Sequence, residues 1–107
     1  DEAIGAFNRA IRESRGFQPE AHVGIGLLYE DKGQFEMAAR EFKIAIDQLS
    51  DTDPIIYQML GAAYEKTGDR AEAIAVYENY LRLAPNGSQA TAVRSIVEQL
   101  KSERAEE

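Results

Sequence analysis

The chain has 107 residues, of which 44% are apolar and 29% charged, with three prolines and no cysteine. This size and composition predict one folded domain, and the lack of cysteine excludes disulfides, thiolate catalysis and Cys-ligated metals. The net charge of −7 sets an acidic surface against nucleic-acid phosphates and anionic lipid, and no run of about 18 apolar residues or basic, apolar leader suggests membrane insertion.

Apolar residues recur at three- and four-residue steps and nowhere alternate over a strand's length, which predicts helices and no sheet. A first stripe is already running in Ala3, Ile4, Phe7, Ala10 and Ile11. Pro19 opens a second helix that carries Val23, Ile25, Leu27, Leu28 and Tyr29, and Gly33 ends it in a left-handed turn. A third runs from Phe35 to Leu49. Asp53 before Pro54 is an N-cap followed by a proline at the first helical position, so a fourth helix spans Ile55 to Tyr64. After Gly68, Asp69 with Glu72 resembles a capping box and starts a fifth helix, Ala71 to Leu83. Pro85-Asn86-Gly87-Ser88 reads as a turn with Ser88 capping a sixth helix that runs to about Lys101. Short connections predict antiparallel neighbours.

The chain also matches itself. Segments starting at Pro19 and Pro54 superpose at a shift of 35: Gly26 falls on Gly61, Tyr29 on Tyr64, Gly33 on Gly68, Ala38 on Ala73 and Phe42 on Tyr77. One further step places Ala3, Phe7 and Ala10 on Ala38, Phe42 and Ala45. Helix–turn–helix units at a period near 34 are the signature of a repeat array.

Tyr57, Leu60, Gly61, Tyr64, Ala73, Tyr77 and Pro85, with His22, Ile25, Gly26, Tyr29, Ala38 and Phe42 one repeat earlier, resemble the tetratricopeptide repeat pattern. The resemblance implies an all-α solenoid of antiparallel helix pairs with a C-terminal capping helix. One domain over residues 1–107 is expected: 1–15 the second helix of a truncated repeat, 19–49 and 54–84 full repeats, and 88–104 the cap. The half repeat at the start predicts the C-terminal piece of a longer array. Departures are His22 in a large aromatic's place, Ser50 in proline's, and Tyr80 in alanine's, which would open the packing near the cap. Gly26 and Gly61, opposite Ala38 and Ala73, are expected to let paired helices approach, with Tyr29, Phe42, Tyr64 and Tyr77 filling the space between neighbouring repeats.

No catalytic constellation is present. His22 is the single histidine, which leaves no Ser–His–acid triad and no His-rich metal site; it is expected to pack in the aromatic slot. Asp47, Asp51, Thr52 and Asp53 lack EF-hand spacing. No phosphate-binding glycine loop follows a strand, since Gly24 and Gly26 lie within a helical pattern. The expectation is no enzyme, no metal and no cofactor.

In this family the functional surface is the concave groove lined by the first helix of each pair. The resemblance places Val23, Leu27, Glu30, Ile55, Gln58, Met59 and Ala62 there, with Glu20 at the rim, and implies binding of a partner protein's peptide or amphipathic helix. Val23, Leu27, Ile55 and Met59 are more apolar than a solvated face requires. Relatives that grip the terminal carboxylates of heat-shock proteins use a Lys/Asn/Arg clamp; Val23, Leu27 and Met59 stand in those places, so that activity is not implied. Glu20, Glu30, Asp31 and Glu65 favour a partner with positive charge. A second expectation is homodimerisation, because the half repeat leaves Ile4, Phe7 and Ile11 without the helix they would pack on.

Overall fold

The computed structural model describes residues 2–15, 18–49 and 53–105. Among them are six helices and no strand: α1 (Glu2–Glu13), α2 (Pro19–Asp31), α3 (Phe35–Gln48), α4 (Pro54–Thr67), α5 (Arg70–Leu83) and α6 (Ala90–Ala105). Ser50, Asp51 and Thr52, which the sequence singled out, lie outside the described residues.

The helix ends follow local chemistry. Pro19 and Pro54 occupy first helical positions, where a missing N–H costs nothing, and the Asp53 carboxylate accepts from the Ile55 N–H at 3.1 Å. Both hairpins turn through a left-handed glycine, Gly33 at φ 75° and Gly68 at φ 82°. Beyond each glycine the chain closes the same six-residue loop: Gln34 N–H donates to the Tyr29 carbonyl at 2.8 Å, and Asp69 N–H to the Tyr64 carbonyl at 2.9 Å.

Several helix ends differ from the sequence reading. α4 continues past Tyr64 to Thr67. Asp69 does not cap α5 with its side chain; its carboxylate accepts from the Thr67 hydroxyl at 2.6 Å, because the left-handed turn folds Asp69 back over the end of α4. The last turn extends through Gln89, so α6 begins at Ala90 rather than at Ser88, with Ala90 N–H donating to the Gly87 carbonyl at 3.0 Å.

The chain forms two compact units, residues 1–52 and 53–107. In the first, α2 and α3 pack as a hairpin and α1 lies against α2; the core is Ala21, Ile25, Ala38, Ala39, Phe42 and Ala45. In the second, α4 and α5 form the equivalent hairpin and α6 packs on α5. α6 supplies Ala90, Val93, Val97 and Leu100, a 3-4-3 stripe, to a core shared with Ala73, Ile74, Tyr77 and Tyr80.

Phe42 and Tyr77 each lie over the glycine of their own hairpin, and Tyr77 also belongs to the core shared with α6. A Cβ at Gly26 would stand 2.5 Å from Phe42 Cε1, and one at Gly61 would stand 2.6 Å from Tyr77 Cε1. The glycines therefore make room for a ring of the partner helix, which lets the two helices of each pair approach. Tyr64 packs on the α5–α6 core, and Tyr29 is half-buried. Tyr80 is buried in the core shared with α6, with its hydroxyl beside the turn at Gly87.

Candidate interaction surface

What a first helix shows to solvent depends on how its other sides are occupied. In α2, Gly24 receives the Phe7 ring from α1 and Gly26 receives the Phe42 ring from α3. His22, on the α3 side, is buried with its Nδ1 3.1 Å from Glu41 Oε1. An ionised carboxylate only accepts, so this contact selects the ring form protonated at Nδ1. His22 is thus both a packing residue, as its position predicted, and a polar tie across the hairpin, which its position did not predict. The Gln18 backbone N–H donates to Gln48 Oε1 at 3.0 Å and fastens the start of α2 to the end of α3.

With those sides filled, Glu20, Val23, Leu27 and Glu30 form a 3-4-3 stripe on the remaining face. Glu20 is exposed, Val23 and Glu30 are half-buried, and Leu27 keeps 42% of its surface in water. Asp31, next to Glu30, is exposed.

α4 repeats the plan in the second unit. Ile56, Leu60, Gly61 and Ala63 are buried, which leaves Ile55 52% exposed, Ala62 exposed, and Gln58 and Met59 half-buried. Ile55, Met59 and Ala62 recur at steps of four and three along one face. Leu27 and Ile55 are two of the three large apolar residues most open to solvent among the described residues. The third, Leu83 at the end of α5, is 39% exposed; sequence periodicity counted it in a helix stripe and gave no sign that the stripe leaves the core there.

Glu65 is not a free acid of this surface. The Tyr77 hydroxyl donates to Glu65 Oε2 at 2.5 Å. Burial pushes the Tyr77 phenol well above the ordinary tyrosine range, and the hydrogen bond to Glu65 and its charge push the same way.

Ile4, Phe7 and Ile11 are all half-buried. Phe7 has a partner that the sequence reading did not assign to it, since its ring lies on Gly24 of α2. Among the described residues no group of three or more His, Asp and Glu side chains could hold a metal ion, and no helix is long and apolar enough to cross a membrane.

Comparison with known families returns the tetratricopeptide repeat twice, over residues 1–54 and over residues 54–86. No curated protein matches the chain significantly.

Proposed function

Because this chain belongs to the tetratricopeptide repeat family, whose repeats mediate protein–protein interaction, we propose that it docks a peptide or amphipathic helix of a partner protein on the outward stripes of its first helices. The observation that carries this reading is the pair of exposed apolar anchors, Leu27 on α2 and Ile55 on α4, with Val23 and Met59 beside them. Leucine and isoleucine side chains gain roughly 1.5–3 kcal/mol on full burial, so leaving them in water on a regular helix favours a later occupant. Glu20, Glu30, Gln58 and Ala62 complete the two stripes. The family is an interaction fold, generally without catalysis.

The test is binding of peptides selected from a displayed library on the intact chain, measured by fluorescence anisotropy. Leu27→Arg should abolish binding of peptides held by the α2 stripe and Met59→Arg binding of those held by the α4 stripe, while Lys43→Glu and Glu98→Lys, on exposed faces of α3 and α6, should affect neither. Binders indifferent to both stripe variants would refute the assignment.

A second reading, homodimerisation through α1, is favoured by one comparison. Ala38, Phe42 and Ala45 of α3 are fully buried, whereas Ala3, Phe7 and Ala10, their counterparts in α1, are exposed or only half-buried. A second copy covering Ile4 and Ile11 would complete that burial. Light scattering at micromolar concentration tests it: a dimer converted to monomer by Ile4→Asp supports the reading, and a monomeric parent chain removes it.

A further inference from the structure

The two hairpins share one plan, and at the end of the first helix their matched positions differ in charge and hydrogen bonding. Glu30 and Glu65 occupy equivalent positions, as do Asp31 and Lys66, and Phe42 and Tyr77. In the second hairpin, the Glu65 carboxylate accepts from the Tyr77 hydroxyl at 2.5 Å and has Lys66 as its neighbour. In the first, Phe42 has no hydroxyl to offer Glu30, and the neighbour is a second carboxylate, Asp31. Both acids sit in the last turn of α2, where the helix dipole is negative and the turn itself holds no basic residue. Lys32 follows at the cap, one cation against the three acids of this helix, Glu20, Glu30 and Asp31.

These carboxylates bracket the apolar part of the same stripe. Glu20 and Glu30 stand ten residues apart, about 15 Å along the helix axis at 1.5 Å per residue, with Val23 and exposed Leu27 between them on one face. The stripe of α4 has no such bracket: Ile55, Met59 and Ala62 are followed by Lys66, the first turn holds no acid, and Asp53 before it already caps the helix.

We infer that α2 sets the charge preference of the docking surface: it takes a partner segment whose apolar anchors are bracketed by Lys or Arg side chains about 15 Å apart, one of them seated on Glu30 and Asp31. This rests on the docking reading above and adds the chemistry of the partner. Apolar anchors supply the affinity, and the cations supply selection and register, the usual division at charged interfaces. A cation at the end of α2 also removes a repulsion that the free protein carries, because two adjacent carboxylates at the negative end of a helix oppose both each other and the dipole. An acidic segment would add to that repulsion, so it is rejected even if its apolar residues fit.

The probe is the set of library peptides selected on the intact chain whose binding is lost in Leu27→Arg. The selected sequences should carry Lys or Arg on both sides of the apolar residues. Glu30→Gln with Asp31→Asn, which keeps shape and removes charge, should weaken them roughly tenfold at low salt and flatten the salt dependence of binding. Charge reversal to Lys at both positions should select peptides with acidic flanks instead. Peptides that need Leu27 but carry neutral or acidic flanks, or that bind the neutralised variant equally well, overturn this inference and leave the docking reading standing. Peptides that ignore Leu27, or a library that yields no binder, overturn both.

Discussion

The Tyr77 hydroxyl donates to the Glu65 carboxylate at 2.5 Å, a bond that the preceding hairpin cannot make because Phe42 stands where Tyr77 would be. The tie joins the buried floor of the second hairpin to the last turn of α4. It also fixes the Tyr77 ring in the position that Gly61 accommodates. The bond thus sets the two matched carboxylates apart: Glu65 holds a tyrosine hydroxyl, and Glu30 has a phenylalanine in that place.

That bond predicts an alkaline weakness. Tyr77 is raised first by burial and then by Glu65, so the native state keeps the phenolic proton where the unfolded chain, with an ordinary value near 10, releases it. The unfolded state then binds fewer protons, and stability must fall as pH rises. Below about pH 10 the group adds no slope; above it the loss approaches about 1.4 kcal/mol per pH unit. Urea unfolding of the parent and of Tyr77→Phe, from pH 8 to 11, isolates this contribution as the difference between them. The advantage of the parent should shrink above pH 10, and a difference independent of pH would mean that Tyr77 titrates normally.

A methyl group at Gly61 should cost stability although alanine is the better helix former. The propensity gain is about 1 kcal/mol, but the new Cβ would stand 2.6 Å from Tyr77 Cε1, on a ring whose hydroxyl is already held. Overpacking of that kind costs about 1–3 kcal/mol, so the net change should be destabilising, and Gly26→Ala should behave likewise against Phe42. Gly5→Ala is the control: nothing lies within 4 Å of its added Cβ, so only the propensity term acts and stability should rise by a few tenths to about 1 kcal/mol. Thermal melts of the three variants decide it; a raised melting temperature for Gly61→Ala would show that the ring can move aside.

The capping helix should depend on its apolar seam rather than on its charges. α6 meets α5 through Val93, Val97 and Leu100 and also through Lys101–Glu78 at 3.3 Å and Arg70–Glu103 at 3.7 Å. Those ion pairs are about half exposed, where such pairs contribute at most about 1 kcal/mol. Leu100 is buried, and truncating a buried leucine costs about 2–5 kcal/mol. Leu100→Ala should therefore lower the urea midpoint far more than Lys101→Ala, and comparable losses would shift the credit to the charges.

Much of the fold was legible because the relevant signals are local or periodic. The apolar steps marked all six helices, Pro54 marked the start of α4, and the shift of 35 exposed the two matching hairpins. Contacts between elements were harder. Gly24 looked like an ordinary helical glycine until Phe7 of α1 was seen to lie on it, because nothing in the spacing says which neighbour approaches a given face. His22 read as an aromatic substitute, and its link to Glu41, 19 residues away, depends on the rotation of both helices about their axes. The Asp69 capping box failed for a related reason: the pattern was present, but the turn through Gly68 offered the Thr67 hydroxyl first. In the candidate surface, exposure of Leu27 and Ile55 followed from the family register, whereas the occupation of Glu65 required the coordinates of a tyrosine 12 residues further on.

Substitution of the exposed anchors should separate binding from folding. Leu27 and Ile55 keep 42% and 52% of their surface in water, and arginine is a good helix former that can lay its stem along the same face while its charge stays solvated. Leu27→Arg and Ile55→Arg should each change stability by no more than about 0.5 kcal/mol, the usual range for surface positions. Ile25 and Leu60, each 2% exposed, lie two and five residues along from them, and an arginine there would bury an unpaired charge that costs several kcal/mol. Circular dichroism melts should show a native transition for the first pair and a collapsed or absent one for Ile25→Arg and Leu60→Arg. If Leu27→Arg melted as low as Ile25→Arg, Leu27 would belong to the core, and loss of binding in that variant would say nothing about a docking surface.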